Sequence, residues 1–336
     1  MRIFEIILLL FSSILPFYIS TRNYSLDKKI SLAIIGSIVL LHLLFEGHRW
    51  QMTPSYLIIL ILAWCLYKDY SFFKGGWFRK IVSGAFFTLV LIFGWVLPYI
   101  LPVFDLPTPT GTYSIGSQYV HIKSDQEEII TSETGDNREL MVKVWYPAIV
   151  SNEKTEAYLN VGDRVGFAQK YGLPGSVLNY LNHVKTHTYT SPAVAKDKFP
   201  VLIFSPGIYS NASGYYALIE EIVSQGYIVL NINHTYESTG SMFPNGEIKL
   251  YNTAYDRKYN NQQMAEMAWV GTQDYHKAST SEEQFAAIEN LVRNYIAAEI
   301  TVRWSNDISL VINELATLNT SSFLANHLDT SKLGVF

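Results

Sequence analysis

The chain has 336 residues, a net charge of −4, 16% charged residues and a mean hydropathy of +0.12, which is apolar for a soluble protein. No basic stripe that could neutralise phosphates occurs, which argues against a nucleic-acid partner. The single cysteine, Cys65, cannot form an intramolecular disulfide and gives no basis for a cysteine-ligated metal or a thiol nucleophile.

The apolar character lies in the first third. Four apolar runs, at about residues 3–19, 30–45, 54–67 and 81–103, precede a mixed sequence that starts near Pro107. A bilayer core about 30 Å thick needs about 20 apolar residues in a helix. The fourth run, "IVSGAFFTLVLIFGWVLPYILPV", meets that length and the third is short. Residues 1–105 therefore read as a region of four transmembrane helices. The first run, after Arg2, has the length of a signal peptide, but no small-x-small cleavage site follows it and more apolar runs do. Arg22, Lys28 and Lys29 lie between runs one and two, and Lys68, Lys74, Arg79 and Lys80 between runs three and four. Lys and Arg favour the cytoplasmic side, so these loops are expected inside and the remaining chain outside. A cysteine-free external domain on a multi-pass membrane protein fits a bacterial cell surface.

"LPTPTGTYSIGS", residues 106–117, reads as a linker, and 118–336 as one α/β domain with a mostly parallel sheet and helices on both faces. "QYVHIKS" and "ELMVKVWYP" alternate apolar and polar residues around the turn-rich "ETGDN", the pattern of two antiparallel strands. Residues 148–198 hold "VGFAQKYGL" and "GSVLNYLNHVKTHTY", which suit short helices in an insertion over one end of the sheet.

Residues 199–234 carry the clearest pattern. "VLIF" is a continuous apolar run, as in a parallel strand covered on both faces. A helix follows with Leu218, Ile219, Ile222 and Val223 on one face and Glu220 and Glu221 away from it. Gly226 falls where a left-handed C-cap belongs, and "YIVLNI" is a second apolar strand, completing a βαβ unit. "PNG" suggests a small hairpin, and apolar residues at Phe285, Ile288, Val292, Tyr295, Ile308, Val311, Ile312 and Leu315 suggest two helices before a strand in "DTSKLGVF".

"FSPGIYSN" is a strand end, a Pro-Gly and a bulky apolar residue before a helix. In that position Gly207 allows a tight turn and the backbone N–H of Ile208 can serve as an oxyanion donor. Other polar residues have plainer readings. His234 and Tyr236, at the carboxyl edge of a parallel strand, are candidates to line a pocket, with Glu237 at its rim. His183 and His187 have the i, i+4 spacing of helical metal ligands but no third ligand. Asp274 and His276 read as surface residues, and Asp307 and Glu314 as the outer face of an amphipathic helix.

"ELMVKVWYPA", "FPVLIFSPGIYSN", "IVSQGYIVLNINHTYEST" and "LDTSKLGVF", in that order, resemble the platelet-activating factor acetylhydrolase family of α/β-hydrolases, particularly its bacterial members. Pro206 stands where that family often has His. The resemblance implies a serine esterase that removes short or oxidised acyl groups from phospholipids or hydrolyses related carboxylic esters, through an acyl-enzyme and without metal or organic cofactor. It implies oxyanion donors at Gly207 and Ile208, a lipid or ester substrate, and a Gly-x-Ser-x-Gly elbow after the strand that holds "LGVF". No such motif occurs in the 336 residues. In this chain order the acid and histidine follow the serine, so the resemblance places the whole triad beyond Phe336 and implies a fragment with no esterase activity of its own. A general carboxylesterase, a polyester hydrolase on the same fold, and a non-catalytic membrane protein with a truncated hydrolase domain are the alternatives.

Overall fold

The computed structural model describes all residues except 22–26, 71–74, 134 and 295. Arg22, Lys74 and Tyr295, used in the sequence reading, lie outside the described residues. Two compact units form: Met1–Asp105 with Val177–Val184, and Leu106–Ser176 with Lys185–Phe336.

The first unit holds helices α1 (Ile3–Thr21), α2 (Lys28–Phe45), α3 (Thr53–Lys68) and α4 (Trp77–Ile100). Helix α3 packs against the other three and buries Ile58, Ile59, Leu62, Cys65 and Leu66, whereas α2 and α4 leave apolar side chains such as Leu44, Phe45, Ile81 and Phe86 outward. Lys28–Phe45, Trp50–Lys68 and Trp77–Ile100 are long and apolar enough to cross a membrane, and Ile3–Ile19 is a shorter apolar helix. The third run reaches that length because a 3-10 turn, Trp50–Met52, continues directly into α3.

One end of this unit is polar inside. Arg49, which is buried, donates from Nε to Glu5 Oε1 at 2.6 Å and from Nη2 to Glu5 Oε2 at 2.7 Å. It also donates to the carbonyls of Leu101 at 2.5 Å and Pro98 at 3.4 Å. Those carbonyls belong to the end of α4, where no later turn supplies N–H groups, so the guanidinium caps that helix and complements its dipole. Within the same unit, the indole of Trp50 donates to Val177 O at 2.8 Å.

The second unit is built on strands β1 (Ser114–Glu127), β2 (Asn137–Ile149), β3 (Thr155–Ala157), β4 (Lys185–Thr190), β5 (Ala193–Val194), β6 (Phe199–Phe204), β7 (Ile228–Asn233), β8 (Gly240–Met242), β9 (Ile248–Leu250) and β10 (Leu328–Val335). The main sheet runs β10-β6-β7-β2-β1-β4-β3, with β5 paired to β2, and β8 and β9 form the hairpin expected at "PNG". Strands β10, β6 and β7 are parallel, with Val335 opposite Ile203 and Ile203 opposite Leu230. Strands β1 and β2 are antiparallel as the sequence predicts, and β1 begins at Ser114, inside the stretch read as a linker.

Period-two alternation divides the side chains between two cores. Val142, Val144, Ile203, Leu230 and Ile232 face one side with Val311, Leu315 and Leu318. Trp145, Val229 and Phe204 face the other with Tyr216, Ile219 and Val223. Helix α6 (Tyr216–Ser224) thus covers one face and α10 (Ile296–Ser321) the other, the α/β layering anticipated from "VLIF" and "YIVLNI". Between them in sequence lie α7 (Thr253–Tyr259), α8 (Gln262–Lys277) and α9 (Ser281–Asn294), and α5 (Val161–Lys170) lies in the insertion.

Three local readings need correction. On α6 it is Glu220 that is buried and Leu218 that is exposed, because β4 offers donors to the carboxylate: His187 N and Thr188 Oγ1, each at 2.8 Å. "GSVLNYLNHVKTHTY" makes one 3-10 segment, Gly175–His183, and then strand β4. His183 and His187 therefore do not share a helical face, and the metal-ligand spacing has no structural counterpart. Gly226, by contrast, has φ +94 and closes α6 by donating to Val223 O at 2.9 Å. A Cβ there would sit 3.2 Å from the Tyr113 ring, so Gly226→Ala is expected to lower stability by about 1–2 kcal/mol in urea unfolding.

Candidate active site

The carboxyl ends of β6, β7 and β10 converge on the segment that follows β6, Ser205–Ser210. Ser205 N–H donates to Phe336 O at 3.1 Å and Phe336 N–H to Ile203 O at 3.0 Å, so the parallel pairing persists to this point. Ser210 N–H then donates to Gly207 O at 3.0 Å, closing a turn over Gly207–Ser210. Tyr209 has φ +63 and Ile208 does not have a positive φ, the pattern of a type II turn. The strained Tyr209 is held from both sides, since its ring stacks on Tyr251 at 3.6 Å and its N–H donates to Glu237 O at 3.0 Å. The N–H groups of Gly207 and Ile208 have no acceptor among the described residues, and a Cβ at Gly207 would meet open space.

Behind this turn stands a hydrogen-bonded series that the sequence does not announce. The Ser205 hydroxyl lies 2.9 Å from His234 Nε2, and His234 Nδ1 lies 2.7 Å from Asp307 Oδ2. His234 is buried, at 1% exposure, and its ring stacks on Trp304 with centroids 4.3 Å apart and planes 6° apart. Burial alone would raise the Asp307 carboxyl, but hydrogen bonds from His234 and Arg138 outweigh it and hold the group below the usual carboxylate range. An ionised Asp307 accepts from Nδ1–H, and in the neutral imidazole Nε2 then accepts from the Ser205 hydroxyl.

The reading of Asp307 as an outer-face residue is thus overturned: it is 2% exposed, because Arg138 on β2 and His234 just after β7 both reach α10 at this point. Arg138 donates to both Asp307 oxygens, at 3.0 and 2.6 Å, to Glu128 at 2.8 Å and to Thr235 O at 2.8 Å. Glu237, expected at a pocket rim, is also buried and accepts from Arg303 and from Trp304 Nε1, each at 2.9 Å. Tyr236, half-buried with φ +67, makes the turn that sends His234 inward, and Glu237 N–H donates to His234 O at 3.0 Å. Asp274 and His276 are exposed on α8, and Glu314 is half-buried on α10.

A doubly covered sheet in the order β10-β6-β7-β2-β1, with a glycine turn after β6 bearing N–H groups that have no acceptor among the described residues, is the arrangement of the α/β-hydrolase fold. The sequence profile of platelet-activating factor acetylhydrolase, isoform II, matches residues 102–281, more than half of the chain, and the protein belongs to that family. The matched residues include the Gly207 turn and His234 and stop before Asp307. Among solved structures, a ferulic acid esterase from Streptomyces cinnamoneus is similar at 24% identity and a TM-score of 0.41. That match covers 55% of this chain and 52% of the esterase, so the chain spans about half the length of the structure it matches. No curated protein matches.

Proposed function

We propose that the protein is a membrane-anchored serine ester hydrolase that removes short or oxidised acyl groups from phospholipids or cleaves related carboxylic esters. The observation that carries this reading is the type II turn after β6, with two backbone N–H groups that have no acceptor among the described residues, at the position where the family resemblance implies oxyanion donors. In this reading a serine attacks the carbonyl carbon of the ester while the carbonyl oxygen faces the Gly207–Ile208 amides. Its attack would form an acyl-enzyme that water then cleaves, with the charge on the tetrahedral oxygen taken up by those amides.

The apolar helices are read as a multi-pass anchor with the hydrolase unit outside the cytoplasm, where amphiphilic substrate is concentrated in two dimensions. The alternative substrates, soluble short-chain esters or polyesters, are separated by assaying the native protein on acetylated phospholipid vesicles against a p-nitrophenyl ester. Removing residues 1–105 is expected to slow turnover of the vesicle substrate by about tenfold more than that of the soluble ester, because anchoring raises the effective substrate concentration. Equal effects on both substrates would refute the anchoring role.

A further inference from the structure

We propose that His234 is a positioning residue that sets the oxyanion turn through Ser205, and that α10 is the platform on which both ends of the turn are fixed. The inference rests on the oxyanion role assigned above to Gly207 and Ile208. At its start the turn is tied by Ser205 to His234 at 2.9 Å, and at its crest by Tyr209 N–H to Glu237 O at 3.0 Å. Both partners belong to the short stretch 234–237, and both lead to α10: His234 through Asp307 at 2.7 Å and the face of Trp304, Glu237 through Arg303 and the Trp304 indole. One tryptophan therefore supports the two tethers at once, one with its ring and one with its N–H.

The arrangement copies the hydrogen-bond order of a Ser-His-Asp triad, with the acid holding the imidazole tautomer and the imidazole accepting from a hydroxyl. Its placement argues for positioning rather than attack. Ser205 is fixed at the end of a strand by its own N–H bond to Phe336 O, and His234 is 1% exposed beneath it with Trp304 stacked on its ring. What the series can do is hold the plane of the Ser205–Pro206 backbone and so aim the two amides that follow. A displacement of about 1 Å in such donors is worth roughly 100-fold in rate.

The test compares Ser205→Ala with Ser205→Thr, which keeps the hydroxyl, in the native full chain. Ser205→Ala is expected to lower kcat for a p-nitrophenyl ester by about 10- to 100-fold with KM within about twofold, and Ser205→Thr to retain most of the activity. Amide hydrogen exchange at Tyr209 and Ser210 should accelerate in the alanine variant and not in the threonine one. A fluorophosphonate probe should label a serine other than Ser205 in the wild-type protein. Labelling of Ser205 itself would overturn the proposal and make the series a nucleophilic triad. Unchanged kcat and exchange in Ser205→Ala would overturn it as well. If the wild type turned over no ester, the hydrolase reading would fail, whereas the exchange comparison would still decide whether His234 and Ser205 set the turn.

Discussion

An Ile208→Pro variant is expected to lose roughly 10²- to 10³-fold in kcat for ester hydrolysis, about 3–4 kcal/mol of transition-state stabilisation, with little change in stability. The substitution deletes one N–H and little else. Ile208 is the second residue of a type II turn, the position at which proline's fixed φ is most readily accepted, and its N–H has no acceptor among the described residues that would be lost. Its side chain is 45% exposed, so no core packing is removed. Gly207 before it has open space around its α-carbon and tolerates the restriction that proline imposes on the preceding residue. Steady-state kinetics of the native protein, with circular dichroism to confirm the fold, measure both halves of the expectation. Wild-type kcat in the proline variant would remove Ile208 from the oxyanion site.

Arg138→Met is expected to destabilise the hydrolase unit by about 3–5 kcal/mol, because the change strands buried carboxylates that had a shared cation. Glu128, Asp307 and Glu237 all lie within 3.6 Å of the Arg138 guanidinium, and all three are 3% exposed or less. Methionine matches much of the arginine stem, so the loss reads the charge rather than a cavity. Asp307 would then have to ionise with His234 but without its arginine partner, and its carboxyl would rise towards the range that burial dictates. A folded-state value below the unfolded one contributes stability above the unfolded pKa and loses it as pH falls through the folded one. The wild-type unit should accordingly weaken on acidification, and the variant should show less of that loss. Urea unfolding at neutral and acidic pH measures both.

The sheet is legible in the sequence because its central strands are covered on both faces and therefore carry unbroken apolar runs: "VLIF" in β6 and "YIVLNI" around β7 could hardly be anything else. Gly226 and "PNG" are legible for a related reason, since left-handed backbone selects for residues without a Cβ or with a short polar side chain. The Gly207–Ser210 segment is legible as a turn. Asp307 is not. Its neighbours Ser305, Asn306 and Ser309 give that stretch of α10 a polar cast, and the arginine that buries it lies 169 residues away in sequence. Local periodicity describes which face of a helix could be wet, and it cannot see a cation arriving from another strand. Glu220 fails to read as buried for the same reason, its partners being supplied by β4.

The Arg49 guanidinium in the helical unit links residues that leave the ribosome at widely different times. Glu5 emerges first, Arg49 later, and the α4 carbonyls of Pro98 and Leu101 last. Until α4 has been made, Arg49 has only its carboxylate partner among these groups, and the remaining N–H groups need another acceptor in the interim. The full set of Arg49 hydrogen bonds can therefore close only once α4 has been made.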